Sequence, residues 1–272
     1  MSWSDKSKPP CEKGAFAAVC SVIALLVIGF VGSAVAAILA AGLPDIWSHL
    51  NTRELRFALL LSVVTATIST ALVMVLALPA TYALTRTQMP LKRLSQVILE
   101  LTMSLPYILL GLALLIVFSS PFGKWLKGHG FRVVFSPMGI IMAHLLVNLP
   151  YAIRLVRDAF EAADRRLEFI AETLGASPFR TFLTVLLPSC RVELVSTLIL
   201  VWSRAMGEFG ATLMLVGITR MKTETLPGSI YLNITIGNNE AAMSTAVLVL
   251  GISALAQVLS RLAGRRKQEQ RR

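Results

Sequence analysis

Residues 158–188 read DAFEAADRRLEFIAETLGASPFRTFLTVLLP and stand between two long apolar runs. A connection needs only a few residues to reverse the chain, and this one spends about thirty on a helical pattern. Leu167, Ile170, Ala171 and Leu174 recur at i, i+3, i+4 and i+7, which places them on one face of a helix. Arg165, Arg166, Glu168 and Glu172 occupy the other face. Gly175 then stands where a helix C-terminus takes a left-handed residue. Past Ala176, Ser177 and Pro178 read as the N-cap and first position of a second helix. In it Phe179, Phe182, Leu183 and Leu186 repeat the apolar spacing until Pro188 ends it. Such a pair of helices either lies on lipid headgroups or docks on a partner.

The rest of the chain is membrane-like. Of 272 residues, 55% are hydrophobic, and mean hydropathy is +0.70. About 20 apolar residues cross a bilayer as a helix, and the runs lack the alternation of a barrel strand. The expected fold is therefore all-α: a polytopic membrane protein with six transmembrane helices at about 15–41, 57–84, 96–119, 137–156, 189–216 and 240–262. One membrane domain covers 15–262, flanked by a polar tail at 1–14 and a basic tail at 263–272. The first run exceeds the h-region of a signal peptide and reads as an uncleaved anchor.

The net charge of +11 does not imply nucleic acid. Most basic residues fall on one side of this topology: Lys6, Lys8, Lys13, Arg86, Lys92, Arg93, Arg154, Arg157, Arg165, Arg166, Arg180, Arg191 and the run from Arg261 to Arg272. The positive-inside rule assigns both termini and the helical loop to the cytoplasm. Cys11, Cys20 and Cys190 have no metal-ligand spacing, and His49, His129 and His144 have no clustered partners, so neither a metal site nor a catalytic constellation is expected. The sequence has no GxxxxGK[ST] phosphate loop and so no ATP cofactor held by that device.

Three features lie inside or beside the spans. Leu-Pro-Tyr occurs twice, at 105–107 and 149–151, putting Pro106 and Pro150 within helices. Such prolines either kink ordinary packing or shape a pathway. Arg204 and Glu208 are spaced to share a helix face and pair, either to fix the fifth span or to line a gate with Phe209 and Gly210. Gly207, Gly210 and Ala211 permit close helix approach there. Finally, 225–237 is apolar but too short to span, which suggests a re-entrant segment or a docking surface.

The loop also carries a resemblance. Ala171-Glu-Thr-Leu-Gly175, followed nine residues later by Val185-Leu-Leu-Pro188, is similar to the cytoplasmic signature of binding-protein-dependent ABC importer permeases: Glu-Ala-Ala, three residues, Gly, nine residues, Ile, any, Leu-Pro. The triplet falls at Phe169, Ile170 and Ala171, so its Glu and first Ala are replaced, while Glu168 and Glu172 flank the site. Ser203-Arg-Ala-Met-Gly-Glu-Phe-Gly-Ala-Thr212 resembles a fifth-span motif of molybdate/tungstate and sulfate permeases. Met221-Lys-Thr-Glu-Thr-Leu-Pro227 with Ile230-Tyr-Leu resembles the molybdate/tungstate branch.

The resemblance implies a non-catalytic permease subunit. Two copies pair, two cytoplasmic ATPase subunits dock on the loop, and an extracytoplasmic oxyanion-binding protein delivers molybdate or tungstate. ATP is bound and hydrolysed by the partner. The implied ATPase contacts are Glu168, Ile170, Ala171, Glu172, Leu174, Gly175, Ala176, Ser177, Pro178 and Phe179. Pro106, Pro150, Arg204, Glu208, Phe209 and Gly210 are pathway or gate candidates. Lys222, Thr223, Glu224 and Tyr231 are candidates for contact with the delivery protein. Sulfate or thiosulfate is the alternative substrate, and a secondary transporter without an ATPase the rival class. That rival predicts inverted repeats and gives the helical loop no reason for its order.

Overall fold

The computed structural model describes the backbone of residues 15–270 and the side chains of 16–262. The tail at 1–14, with Lys6, Lys8, Cys11 and Lys13, and the side chains of the basic tail lie outside the described residues. Every regular element among the described residues is helical.

Two long helices form the centre: α3 (Arg53–Arg86) and α7 (Pro137–Glu161), the most extensively packed pair. The buried stripe of α3 runs Leu55, Ala58, Ser62, Thr65, Ser69, Val73, Ala77, Thr81 and Leu84, spaced three or four apart. Most of these side chains are small. With no hydrophobic force between helices in lipid, close backbone approach supplies dispersion contacts, and small residues permit it. Around this pair stand α1 (Ala15–Gly42), α2 (Ile46–Leu50), α4 (Lys92–Ser104), α5 (Tyr107–Ser119), α6 (Pro121–Gly128) and α8 (Arg165–Thr173). The chain continues through α9 (Pro178–Thr181), a π-helical segment (Phe182–Leu186), α10 (Leu187–Ser189), α11 (Arg191–Met206), α12 (Gly210–Val216), α13 (Leu226–Thr235) and α14 (Asn239–Gln270). Residues of α1 are exposed almost throughout, and its packing partner is α14, where Gly42 rests on the Met243 backbone.

Not every expected span is one straight helix. Among the described residues, four helices are long and apolar enough to cross: Phe16–Gly42, Arg53–Arg86, Pro137–Glu161 and Asn239–Leu262. Two bent pairs bring the number to six if each pair counts as one span. The expected helix over 96–119 is divided into α4 and α5, which meet at 114°. Leu105 before Pro106 takes ψ 141°, the extended conformation that a following proline ring favours, so α4 stops at Ser104. Pro150 has the same tripeptide context yet sits inside an unbroken α7. There α3 and α11 flank the helix and hold it together, as neighbours do for prolines in membrane helices.

The expected helix over 189–216 is likewise broken. It begins after a 77° bend near Cys190, and α11 ends at Met206. Sixteen residues rise about 24 Å, short of the roughly 30 Å hydrocarbon thickness. The chain turns at 207–209 and resumes as α12, which packs on α5 and α7. The apolar 225–237 stretch is α13, folded against α14 and α3 with Leu226, Ser229 and Asn233 buried. Thr225 caps it, and Leu226 N donates to Ser62 Oγ of α3 at 2.8 Å. Tyr231, Ile234 and Ile236 on its other side are exposed.

Candidate functional site

Local rules build the loop. The Asp164 carboxylate accepts from Arg166 N at 2.9 Å and starts α8. At the other end Ala176 N donates to Ala171 O at 3.0 Å and Gly175 N to Glu172 O at 2.9 Å. These two bonds make a Schellman cap, with Gly175 left-handed at φ +90° as the sequence predicts. Ser177 Oγ accepts from Arg180 N at 3.3 Å and Pro178 occupies the first turn of α9. The helix then passes through a π segment and runs to Ser189, one residue beyond Pro188. A widened turn just before a proline accommodates the ring and the missing N–H without stopping the helix.

That π segment divides the second apolar face. Phe182 and Leu186 turn inward: the Phe182 ring stands edge-on to Tyr82 at 5.1 Å and to Phe160 at 6.3 Å. Thr181, Leu186 and Cys190 are buried, and Cys190 Sγ donates to Ala159 O at 3.2 Å. Phe179 and Leu183 face outward, so these four residues do not share one face. On α8 the outer surface is apolar and unpartnered: Phe169, Ile170 and Leu174 are exposed, Leu174 by 82%. Glu172, Gly175, Ser177 and Pro178 are exposed as well, with Ala171 and Ala176 half-buried. An open groove of about 780 Å³, lined by Ala159, Ala163, Leu167, Ile170, Thr184 and Pro188, separates α8 from α10.

One buried ion pair pins the loop to the membrane helices. Arg86, the last residue of α3, donates Nη2 to Glu168 Oε1 at 2.8 Å and Nε to Oε2 at 3.0 Å. The same Nη2 reaches Phe160 O at 2.7 Å. The side chains are only 7% and 13% exposed. Glu168 thus reaches Arg86 rather than outward, a contact between residues 82 apart that periodicity cannot register. Arg86 reads in the sequence as one more cytoplasmic positive charge.

The second cluster forms where the two breaks meet. Arg204 lies in the last turn of α11, Tyr107 opens α5, and Tyr151 projects from α7. The Arg204 Cζ stands 5.2 Å from the Tyr107 ring centroid and 4.6 Å from that of Tyr151. Its Nη2 donates to the Tyr107 hydroxyl. The two Leu-Pro-Tyr tripeptides therefore converge on one guanidinium. Glu208 does not pair with Arg204, because α11 ends at Met206 and the i, i+4 geometry is lost. Instead Glu208 Oε1 accepts from Ala211 N at 2.9 Å and caps α12, with its side chain buried.

Phe209 packs on Tyr231 with ring centroids 5.5 Å apart. Gly210 lies against Tyr107 and Ile108, and a Cβ on Gly111 would overlap the Ala211 backbone, so α5 and α12 meet through glycines. Pro106 is exposed and Pro150 buried.

On the opposite side, the turn before α13 is internally braced. Thr223 Oγ1 accepts from Thr219 N at 3.0 Å and donates to Gly217 O at 3.1 Å. Glu224 Oε2 accepts from Met221 N at 3.2 Å. Both side chains are buried, so of the four residues expected at a protein contact Thr223 and Glu224 are withdrawn, while Lys222 and Tyr231 are exposed.

Residues 77–269 match the family described as "Binding-protein-dependent transport system inner membrane component". The chain is 35% identical over 214 residues to the molybdenum transport system permease protein ModB of Mycobacterium tuberculosis, covering 78% of this chain and 81% of that one. It is 31% identical over 227 residues to the sulfate transport system permease protein CysW of Synechocystis, covering 83% and 82%. Among solved structures, a bacterial ABC transporter that imports the acidic polysaccharide alginate superposes with TM-score 0.65 at 17% identity, over 90% of this chain and 94% of that one. The bent fourth and fifth helices, the capped helical loop and these similarities agree, and the chain belongs to the inner membrane component family of binding-protein-dependent ABC importers, as a non-catalytic permease subunit.

Proposed function

We propose that this permease carries a tetrahedral oxyanion, molybdate or tungstate, across the cytoplasmic membrane. Two copies pair around the pathway, with both termini in the cytoplasm as the distribution of Arg and Lys favours. Two ATPase subunits dock on the exposed apolar face of α8 and α9, and a binding protein delivers the anion against the side holding Lys222 and Tyr231. The observation that carries the reading is the loop itself. Its inner side is pinned by Arg86–Glu168, Phe182 and Leu186, while Phe169, Ile170, Leu174 and Phe179 remain uncovered. An ordered helix with an unpartnered apolar face, anchored by a buried ion pair, suits a helix-in-groove contact. ATP-driven closure of the ATPases then moves α8, and the Arg86 link passes that movement to α3.

Sulfate is the second reading, since the chain is also similar to a sulfate permease. Uptake of labelled molybdate by cells or proteoliposomes containing the complete transporter, measured against excess sulfate, separates the two. Molybdate uptake that survives the excess supports the proposal, and equal competition overturns the substrate assignment.

A further inference from the structure

We propose that the Arg204 guanidinium, held by Tyr107 and Tyr151, is a transit-binding site for the oxyanion within the membrane domain. The inference rests on the function proposed above and names the residues that would meet the anion.

Four observations support it. First, Arg204 is a charge at membrane depth with no carboxylate within ion-pair distance among the described residues; the described ion pairs are Arg86–Glu168 and Arg157–Glu161. Charged groups at that depth pair with one another or serve a pathway. Its direct contacts here are two tyrosines, which orient the cation through ring faces and one hydroxyl, while the buried Glu208 carboxylate is close enough to interact with it electrostatically without forming an ion pair. The carboxylate nearest in sequence, Glu208, is committed to the start of α12.

Second, donor capacity is left over. Arg204 Nε is buried without a hydrogen-bond partner, although a guanidinium presents five donors in a fixed planar fork. Planar edges of this kind match two oxygens of a tetrahedral oxyanion. The Tyr107 hydroxyl accepts from Arg204 and keeps its own proton to donate.

Third, the position is a chain break on both sides. The α11 helix ends two residues past Arg204, and α5 begins at Tyr107 with its positive end at the same place. Interrupted helices that turn a positive end toward a cavity are how membrane transporters hold anionic groups.

Fourth, residues beside the break are open to the surface. Gly207 is exposed, and a Cβ built on it meets only carbonyls of its own preceding turn at 3.9 and 4.0 Å. Ser104 and Pro106, just before Tyr107 in the chain, are exposed as well. A single cation whose field is tempered by the nearby Glu208 carboxylate binds weakly enough to release, which transit requires.

The test uses the complete transporter, permease with its ATPase and binding protein, in proteoliposomes with molybdate as probe. Arg204→Gln removes the charge at similar size, Arg204→Lys keeps it without the fork, and Gly207→Asp adds a competing carboxylate three residues after Arg204 at a backbone angle (φ −93°) that any residue adopts. Expected is a fall of at least tenfold in molybdate moved per ATP hydrolysed for Arg204→Gln and Gly207→Asp, with Arg204→Lys within about threefold of the parent. An unchanged ratio in Arg204→Gln overturns the site, as does a parallel loss of uptake and hydrolysis, which marks a structural brace. If Arg204→Gln fails to assemble with the ATPase, Gly207→Asp decides, and normal uptake in it overturns the site. A parent complex that moves no oxyanion refutes instead the function on which this rests.

Discussion

Removing Arg86 tests whether the loop is fastened to the membrane helices by one buried pair. In Arg86→Met, the Glu168 carboxylate, 13% exposed, loses three donor contacts at 2.8–3.2 Å, and Phe160 O loses the fourth at 2.7 Å. Breaking a buried pair by deleting one partner costs about 3–5 kcal/mol, because the surviving charge stays desolvated. The partial exposure of Glu168 places this pair at about 3 kcal/mol, the lower end of that range. At 1.4 kcal/mol per factor of ten, the detached population of α8 rises about a hundredfold.

Amide hydrogen exchange reads this population directly in the purified full-length protein. Residues 166–173 should exchange about a hundredfold faster in Arg86→Met, with the centre of α3 unchanged. Arg86→Lys should show a smaller increase, since a single ammonium cannot fork to both carboxylate oxygens. The exchanged pair Arg86→Glu with Glu168→Arg should restore part of the protection. Unchanged exchange in α8 would refute the argument, and so would an increase spread over the whole chain. Oxyanion uptake per ATP hydrolysed should fall in the order of detachment.

Two other substitutions isolate backbone effects. Gly175→Val places a β-branched residue at φ +90°, where a built Cβ meets nothing, so its cost of about 1–2 kcal/mol is purely conformational; Gly175→Asn, which tolerates that region better, should keep more uptake, and equal loss in both would point to a steric role. Gly111→Ala should lower the thermal midpoint of the detergent-solubilised protein more than Gly29→Ala, because its Cβ collides with the Ala211 carbonyl whereas Gly29 faces open space.

The loop was legible because its rules are local. Capping at Ser177, the left-handed Gly175 and the 3.6-residue spacing over 167–174 all depend on neighbours within a turn, and each appears as read. Phe182 and Leu186 were misplaced relative to Phe179 because a single π turn shifts the register, and nothing in an apolar spacing records it. The bends in spans three and five are not written in hydropathy, which measures composition and is blind to direction. The proline at 106 signalled a break, but the same tripeptide at 149–151 produced none, so the motif alone was ambiguous.

Glu208 shows the limit most clearly. Its spacing from Arg204 predicts a pair only if the helix continues through both, and the helix stops between them. Arg86 and Tyr107 were invisible as site residues, since each is defined by a partner about eighty to a hundred positions away.

Composition, charge placement and short-range periodicity by themselves determined that the chain is an all-helical membrane protein with an ordered, amphipathic loop, since these follow from burial in lipid and from hydrogen bonds a few residues long. Which helices bend, which face of the loop is left uncovered, and which residues surround Arg204 were decided only by the tertiary structure. Those outcomes depend on whether a neighbouring helix is present to hold a backbone straight or to offer a charge, a ring or a carbonyl, and that is a property of packing between segments distant in the chain.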